Sequence, residues 1–206
     1  MNKPRRFSMI RSFHLADWIT IGNAFCGTGA LFAAMSYLQA PAERWQLLAA
    51  CALVPLALVL DVLDGKVARW RHVASPLGRE LDSLADVISF GVAPAAIAYA
   101  AGMQGGWDRA VLLFFVACGV SRLARFNVTA EKLATEEGKV RYYEGTPIPT
   151  SIVLVALLAA AIWQGRIGDA LWGGVVTLGP WQLHPLVLLF ALSGSLMIST
   201  LRIPKP

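Results

Sequence analysis

The stretch "DVLDGKVARWRHVASPLGRELDSLAD", residues 61–86, places aspartates on segments otherwise apolar enough to enter a membrane. Asp61 and Asp64 are three residues apart and Asp82 and Asp86 four apart, so on helices each pair occupies one face. With "RWRHVASPLG" as the turn between two antiparallel helices, the two faces oppose each other. Asp61 and Asp86 are then the deeper members and Asp64 and Asp82 the shallower ones, forming a carboxylate cup just beneath the membrane surface.

A carboxylate near mid-bilayer costs about 2.5 kcal/mol or more on insertion scales, and neighbouring carboxylates repel one another. The cup therefore calls for a cation. Lys66 and Arg69 are near in sequence, but oxygen donors with no Cys or His beside them suit a hard divalent ion such as Mg²⁺, Mn²⁺ or Ca²⁺. Two ions roughly 3.5–4 Å apart would neutralise the cup and form a clamp for phosphoryl transfer. An ion or proton transport site and an ion-paired packing cluster are the competing readings. Gly65 and Ala68 follow Asp64, and Gly78 lies one turn before Asp82, keeping room beside the carboxylates. A channel has no use for that room, whereas a bound nucleotide does.

The rest of the chain agrees with an integral membrane protein. Hydrophobic residues make up 56% and charged residues 15% of its 206 positions, well away from the balance of a soluble domain. Apolar runs at 17–38, 45–69, 80–101, 107–125, 148–165 and 183–201 predict six transmembrane helices in an all-α domain covering 1–206, with five or seven spans as the alternatives. Segment 171–179, "LWGGVVTLG", is too short and Gly-rich to cross and reads as interfacial or re-entrant. With the N-terminus cytoplasmic, only Arg44, Arg109 and Arg166 of the 18 Lys and Arg residues fall outside, as the positive-inside rule requires. Both termini and the cup are then cytoplasmic. The net charge of +5 becomes a membrane-surface feature and gives no reason to invoke nucleic acid.

Residues 1–16 read as a juxtamembrane amphipathic segment and not a cleaved signal, because the apolar run that follows exceeds a signal core and supplies a needed helix. Cys26, Cys51 and Cys118 lie in apolar runs and read as small buried hydrophobes. The polar insertion 127–145 reads as a helical turn or two plus a cytoplasmic loop, and the small residues Gly22, Gly27, Gly29 and Gly91 as helix-packing positions.

The pattern Asp61, Asp64-Gly65, Ala68-Arg69, Gly78, Asp82, Asp86 resembles in full the signature D-x2-D-G-x2-A-R-x8-G-x3-D-x3-D of the CDP-alcohol phosphotransferase family. Its members are integral membrane enzymes, usually dimeric, that move a phosphatidyl or similar group from a CDP-linked donor to an alcohol and release CMP. The resemblance implies that Asp61, Asp64, Asp82 and Asp86 hold two Mg²⁺ or Mn²⁺ ions, with Asp86 also the general base. Gly65, Ala68, Arg69 and Gly78 would line the CDP site. Thr20 and Asn23 in "TIGN" match a Thr-x-x-Asn feature and are candidates for nucleotide contacts.

"ISFGVAPA" at 88–95, "SRLARFN" at 121–127 and "YYEGTPIPTS" at 142–151 look like the serine-using branch of that family. That branch implies CDP-diacylglycerol as donor, L-serine as acceptor, phosphatidylserine and CMP as products, and residence in the inner (cytoplasmic) membrane. Gly145-Thr146-Pro147 departs from the branch's usual Gly-Leu-Pro, so glycerol 3-phosphate, inositol and choline stay open as acceptors, and a divalent-ion transporter remains an alternative. Arg122 and Arg125, at the cytoplasmic end of the fourth predicted helix, are candidates to bind a serine carboxylate or a phosphate through paired donors.

Overall fold

A computed structural model describes residues 13–41, 43–71, 76–135, 142–200 and 202–204. It is mostly helical, at 79%. Helix α1 spans Leu15–Gln39 and α2 spans Arg44–Trp70. Pro76 opens α3, Pro76–Asp86, which continues through the π-helical segment Val87–Val92 into α4, Ala93–Ala100. Helix α5 is Gly106–Thr135, α6 is Ile152–Trp163 behind the 3₁₀ turn Ile148–Ser151, and α7 is Leu188–Met197 behind the 3₁₀ turn Pro185–Val187.

Among the described residues, four helical stretches are long and apolar enough to cross a membrane: Leu15–Gln39, Arg44–Trp70, Leu77–Ala100 and Gly106–Val128. The last two predicted helices form as shorter apolar helices, Ile148–Trp163 and Pro185–Met197. Prolines account for part of the difference, because Pro147, Pro149 and Pro185 set tight 3₁₀ entries in place of α-helical turns. Expected boundaries also move. The turn after α2 is shorter than predicted, leaving Gly78 in the first turns of α3, and α5 continues ten residues past Arg125 before the undescribed 136–141. Residues 1–12 of the expected amphipathic segment lie outside the described residues.

Helices α1 and α2 pack as a close antiparallel pair, with Gly22 against Leu60 and Gly29 against Leu53. Gly27 is closer still to its neighbour. A Cβ there would lie 2.8 Å from Ser89 Cα and 2.9 Å from Ser89 N, so α1 and the π-helical segment meet backbone to backbone. The core runs from Ala30, Leu47 and Val54 through Phe90 and Ile97 to Phe115, Leu158 and Phe190. Cys51 and Cys118 are buried in it, Cys26 is partly buried, and all three are free thiols, as their apolar settings predict.

Short strands close the two ends of the α6/α7 pair. β1, Tyr142–Glu144, precedes α6 and pairs antiparallel with β4, Arg202–Pro204, which follows α7. At the opposite end β2, Val176–Leu178, pairs with β3, Trp181–Leu183, turning through Gly179 at φ +62°. Residues 176–179 at the end of segment 171–179 thus belong to a β-hairpin. The hairpin is fastened to the start of α5. Trp107 Nε1 donates to Leu178 O at 2.9 Å, and the Trp107 and Trp181 rings stack edge to face at 5.1 Å. The fully buried Asp108 accepts from the amide of Gly105 at 2.9 Å and that of His184 at 2.8 Å, and lies 2.7 Å from His184 Nδ1.

Candidate active site

The acidic cup forms where α1, α2 and α3 converge. Asp61, Asp64 and Asp82 bring one carboxylate oxygen each to within 4.8 Å of one another. The Asp61 carboxyl also lies against that of Asp86, so all the predicted aspartates gather in one place. Helical periodicity and packing explain the convergence: the i,i+3 pair of α2 and the i,i+4 pair of α3 each project from one face, and both helices pack against α1. Asp64 and Asp86 are buried, while Asp61 and Asp82 are partly buried.

Helix α1 supplies the polar lining. Thr20 Oγ1 donates to Asp64 Oδ2 at 2.6 Å, and one turn along the helix Asn23 Nδ2 makes a long 3.4 Å contact with Asp86 Oδ1. The order is informative: Thr20 meets Asp64 and Asn23 meets Asp86, so Asp86 sits one helical turn deeper along α1 than Asp64. Ser89 in the π-helical segment donates to Asn23 O at 2.9 Å and holds α1 in this register. Asn23 is fully buried and its Oδ1 has no hydrogen-bond partner among the described residues.

The π-helical segment begins directly after Asp86, and Ala93 N–H donates five residues back to Ile88 O. Its physical cause is Pro94, which lacks an N–H and whose ring would crowd the carbonyl four residues earlier in a regular helix. Widening the turn resolves that conflict and brings Ser89 and Gly91 to the buried side. Gly91 and Gly119 both lie against the side chain of Ile148 from the "EGTPIP" segment, which carries that turn onto the flank of the site.

The other predicted residues are distributed unevenly. Gly65 lies under the Arg69 guanidinium, whose Nη1 would be 3.5 Å from an added Cβ. Ala68 and Gly78 are partly buried, the former one turn after Asp64 and the latter one turn before Asp82. Arg122 is half-buried with its Nε out of contact with solvent, whereas Arg125 is exposed. Three features escaped the sequence reading. Asp17 is buried at the start of α1, where it accepts from His14 N at 2.7 Å; its spacing to Thr20 and Asn23, one residue per turn along one face, is the signal that could have found it. The π-helical turn had a local signal in Pro94, whereas the contacts among Glu80, Ser83 and Asn127 had none.

The donor set fits a hard divalent cation. The converging groups are carboxylate oxygens without thiolate or imidazole, and Asp82 Oδ1 is buried with no hydrogen-bond partner among the described residues. A sequence model of the CDP-alcohol phosphatidyltransferases matches residues 13–193, from the entry of α1 into α7. The chain belongs to the CDP-alcohol phosphatidyltransferase family. Within this family of phosphatidyltransferases it is similar to proteins named CDP-diacylglycerol–serine O-phosphatidyltransferase. That of Saccharomyces cerevisiae is 43% identical over 204 residues, covering 97% of this chain and 74% of the yeast protein. That of Helicobacter pylori is 44% identical over 140 residues, covering 67% of this chain and 54% of its own length. That of Bacillus subtilis is 33% identical over 143 residues, covering 68% and 72% respectively. The CDP-alcohol phosphatidyltransferase match contains the acidic cup, the α1 lining and the "EGTPIP" segment.

Proposed function

We propose that this protein transfers the phosphatidyl group of CDP-diacylglycerol to the hydroxyl of L-serine, giving phosphatidylserine and CMP. The convergence of the Asp61, Asp64 and Asp82 oxygens within 4.8 Å, with Asp86 beside them, carries the reading. The names of its relatives support the choice of donor and acceptor.

Asp61, Asp64, Asp82 and Asp86 are the residues that would hold two divalent ions, Mg²⁺ or Mn²⁺. When bound, such ions neutralise a diphosphate and make its phosphorus more open to attack. The chain's own residues do the rest. Thr20 fixes the Asp64 carboxylate, and Asn23 holds Asp86 while keeping Oδ1 available to a nucleotide donor group. Gly65, Ala68 and Gly78 leave the CDP moiety space against backbone, and Arg69 lies over Gly65 where it can meet phosphate oxygens. Asp86 takes the proton from the serine hydroxyl as its oxygen attacks the lipid-bearing phosphorus, and the bond from that phosphorus to the CMP oxygen breaks. Arg122 and Arg125 are the candidates to bind the serine carboxylate.

Direct displacement suits the geometry better than a covalent intermediate. His184 is paired with Asp108 at the other end of the bundle, and His14 is exposed ahead of α1. The same reading places the protein in the inner (cytoplasmic) membrane as a homodimer with six spans and a cytoplasmic site. The β1–β4 pairing supports the sixth crossing, because it returns the chain beyond α7 to the level where α6 began.

The test is CMP release by the purified protein in detergent with CDP-diacylglycerol, Mg²⁺ or Mn²⁺, and each of serine, glycerol 3-phosphate, inositol and choline. Serine-dependent release that falls by about 10² or more in Asp86→Asn is expected. Release with another alcohol alone would overturn the acceptor, and full activity of Asp86→Asn would overturn the general base.

A further inference from the structure

At the cytoplasmic end of α5, Asn127 bridges to α3 beside the acidic cup. Its Nδ2 donates to Ser83 Oγ at 3.0 Å and to Glu80 Oε2 at 3.2 Å, and Ser83 Oγ in turn donates to Asn127 Oδ1 at 3.2 Å. Ser83 is the residue after Asp82. Every polar atom of the Asn127 side chain is thus committed to α3, and Asn127 and Ser83 are part-buried, where such bonds are less exposed to competition from water. The two helices are antiparallel, joined at the far side through Ala101–Gly105, so this contact acts at the end where that connection has least leverage.

The register that follows is specific. At 1.5 Å per residue, Asp86 lies about 4.5 Å deeper than Ser83 along α3, and Arg122 about 7.5 Å deeper than Asn127 along α5. The clasp therefore keeps the root of Arg122 within about one helical turn of the level of Asp86. Without it, the end of α5 that carries Arg122 loses this polar tie to α3, while the cup itself is still held by α1.

We propose that Asn127 is a positioning residue for the acceptor: by tying α5 to α3 next to Asp82, it sets Arg122 at the distance from Asp86 that a bound serine must span. The proposal rests on the reading of Arg122 as the serine-carboxylate partner. It differs from a merely structural role in what it predicts, since the residues that would hold CDP-diacylglycerol lie around a cup that α1 fastens through Thr20 to Asp64 and Asn23 to Asp86, whether or not α5 is tied to α3.

The experiment compares kcat and KM for both substrates in Asn127→Ala, Ser83→Ala and the pair Asn127→Asp with Glu80→Gln, using full-length protein in detergent. Asn127→Ala should raise KM for serine about five- to ten-fold, the scale of one or two lost hydrogen bonds, with kcat and KM for CDP-diacylglycerol within two-fold of wild type. Ser83→Ala should move the same constant less, and serves if Asn127→Ala does not fold. Asn127→Asp alone sets a carboxylate against Glu80, and adding Glu80→Gln should restore serine KM by exchanging donor and acceptor. An unchanged serine KM in Asn127→Ala and Ser83→Ala overturns the proposal, as does an equal loss with both substrates. Wild-type protein that releases no CMP with serine would instead defeat the function from which the proposal starts.

Discussion

Gly27 of α1 lies against the backbone of Ser89, close enough that a methyl group would stand 2.8 Å from Ser89 Cα. This contact is what lets Ser89 reach Asn23 O and Asn23 reach Asp86, so packing and site geometry share one residue. Gly27→Ala is expected to destabilise the protein by about 1–3 kcal/mol, because both partners are backbone and neither can yield cheaply. Thermal unfolding in detergent measures the loss, and reduced activity at temperatures where the variant stays folded would report displacement of Asn23.

Thr20 tests whether the α1 lining matters to the cup. Thr20→Val keeps the shape but removes the 2.6 Å bond to Asp64, and second-layer partners of metal-binding carboxylates typically contribute about 10- to 100-fold in metal affinity or activity. The expected outcome is a raised Mg²⁺ or Mn²⁺ concentration for half-maximal CMP release, with Thr20→Ser close to wild type. An unchanged metal dependence would show that Asp64 needs no support from α1.

Chelation separates the metal-site reading from a packing cluster. If the aspartates hold divalent ions, EDTA should abolish activity and lower the unfolding temperature, since a ligand at 100 times its Kd stabilises by about 2.7 kcal/mol. Adding Mg²⁺ or Mn²⁺ should restore both. In Asp82→Asn the unfolding temperature should respond less to chelation, a readout that does not depend on turnover.

The Asp108–His184 pair predicts the reverse pattern. Asp108 is fully buried and receives two backbone amides as well as the imidazole, at the end of the bundle opposite the cup. Asp108→Asn replaces an acceptor oxygen with an amide group that meets donors, and is expected to cost about 1.5–3 kcal/mol of stability. Its kcat and KM, corrected for folded protein, should match wild type. A selective change in catalytic constants would mean the two ends of the bundle are coupled.

Membrane topology is checked by thiol labelling after replacement of the three native cysteines. Cysteines placed at Arg71 and Lys205 should react with an impermeant reagent only from the cytoplasmic side, and one at Gln182 in the β2–β3 hairpin only from the other. Labelling of Lys205→Cys from the same side as Gln182→Cys would remove the sixth span.

The aspartate spacing alone was sufficient to place each carboxylate pair on one face of its helix, because helical periodicity is a local property and each pair lies within a single element. Membrane character and the buried free cysteines followed equally from apolar run length. Helix ends were less legible: α5 runs on through polar residues after Arg125, and prolines shortened the last two helices by favouring 3₁₀ turns. What only the tertiary structure decided are the cross-element contacts. Thr20 with Asp64, Gly27 with Ser89, Asn127 with Ser83 and Asp108 with His184 join residues 44 to 76 positions apart, and the π-helical turn after Asp86 reconciles Pro94 with a continuous helix. A run of sequence encodes which face a side chain occupies on its own helix. Which neighbour meets that face depends on how closely the backbones approach, and that is settled only when the whole bundle packs.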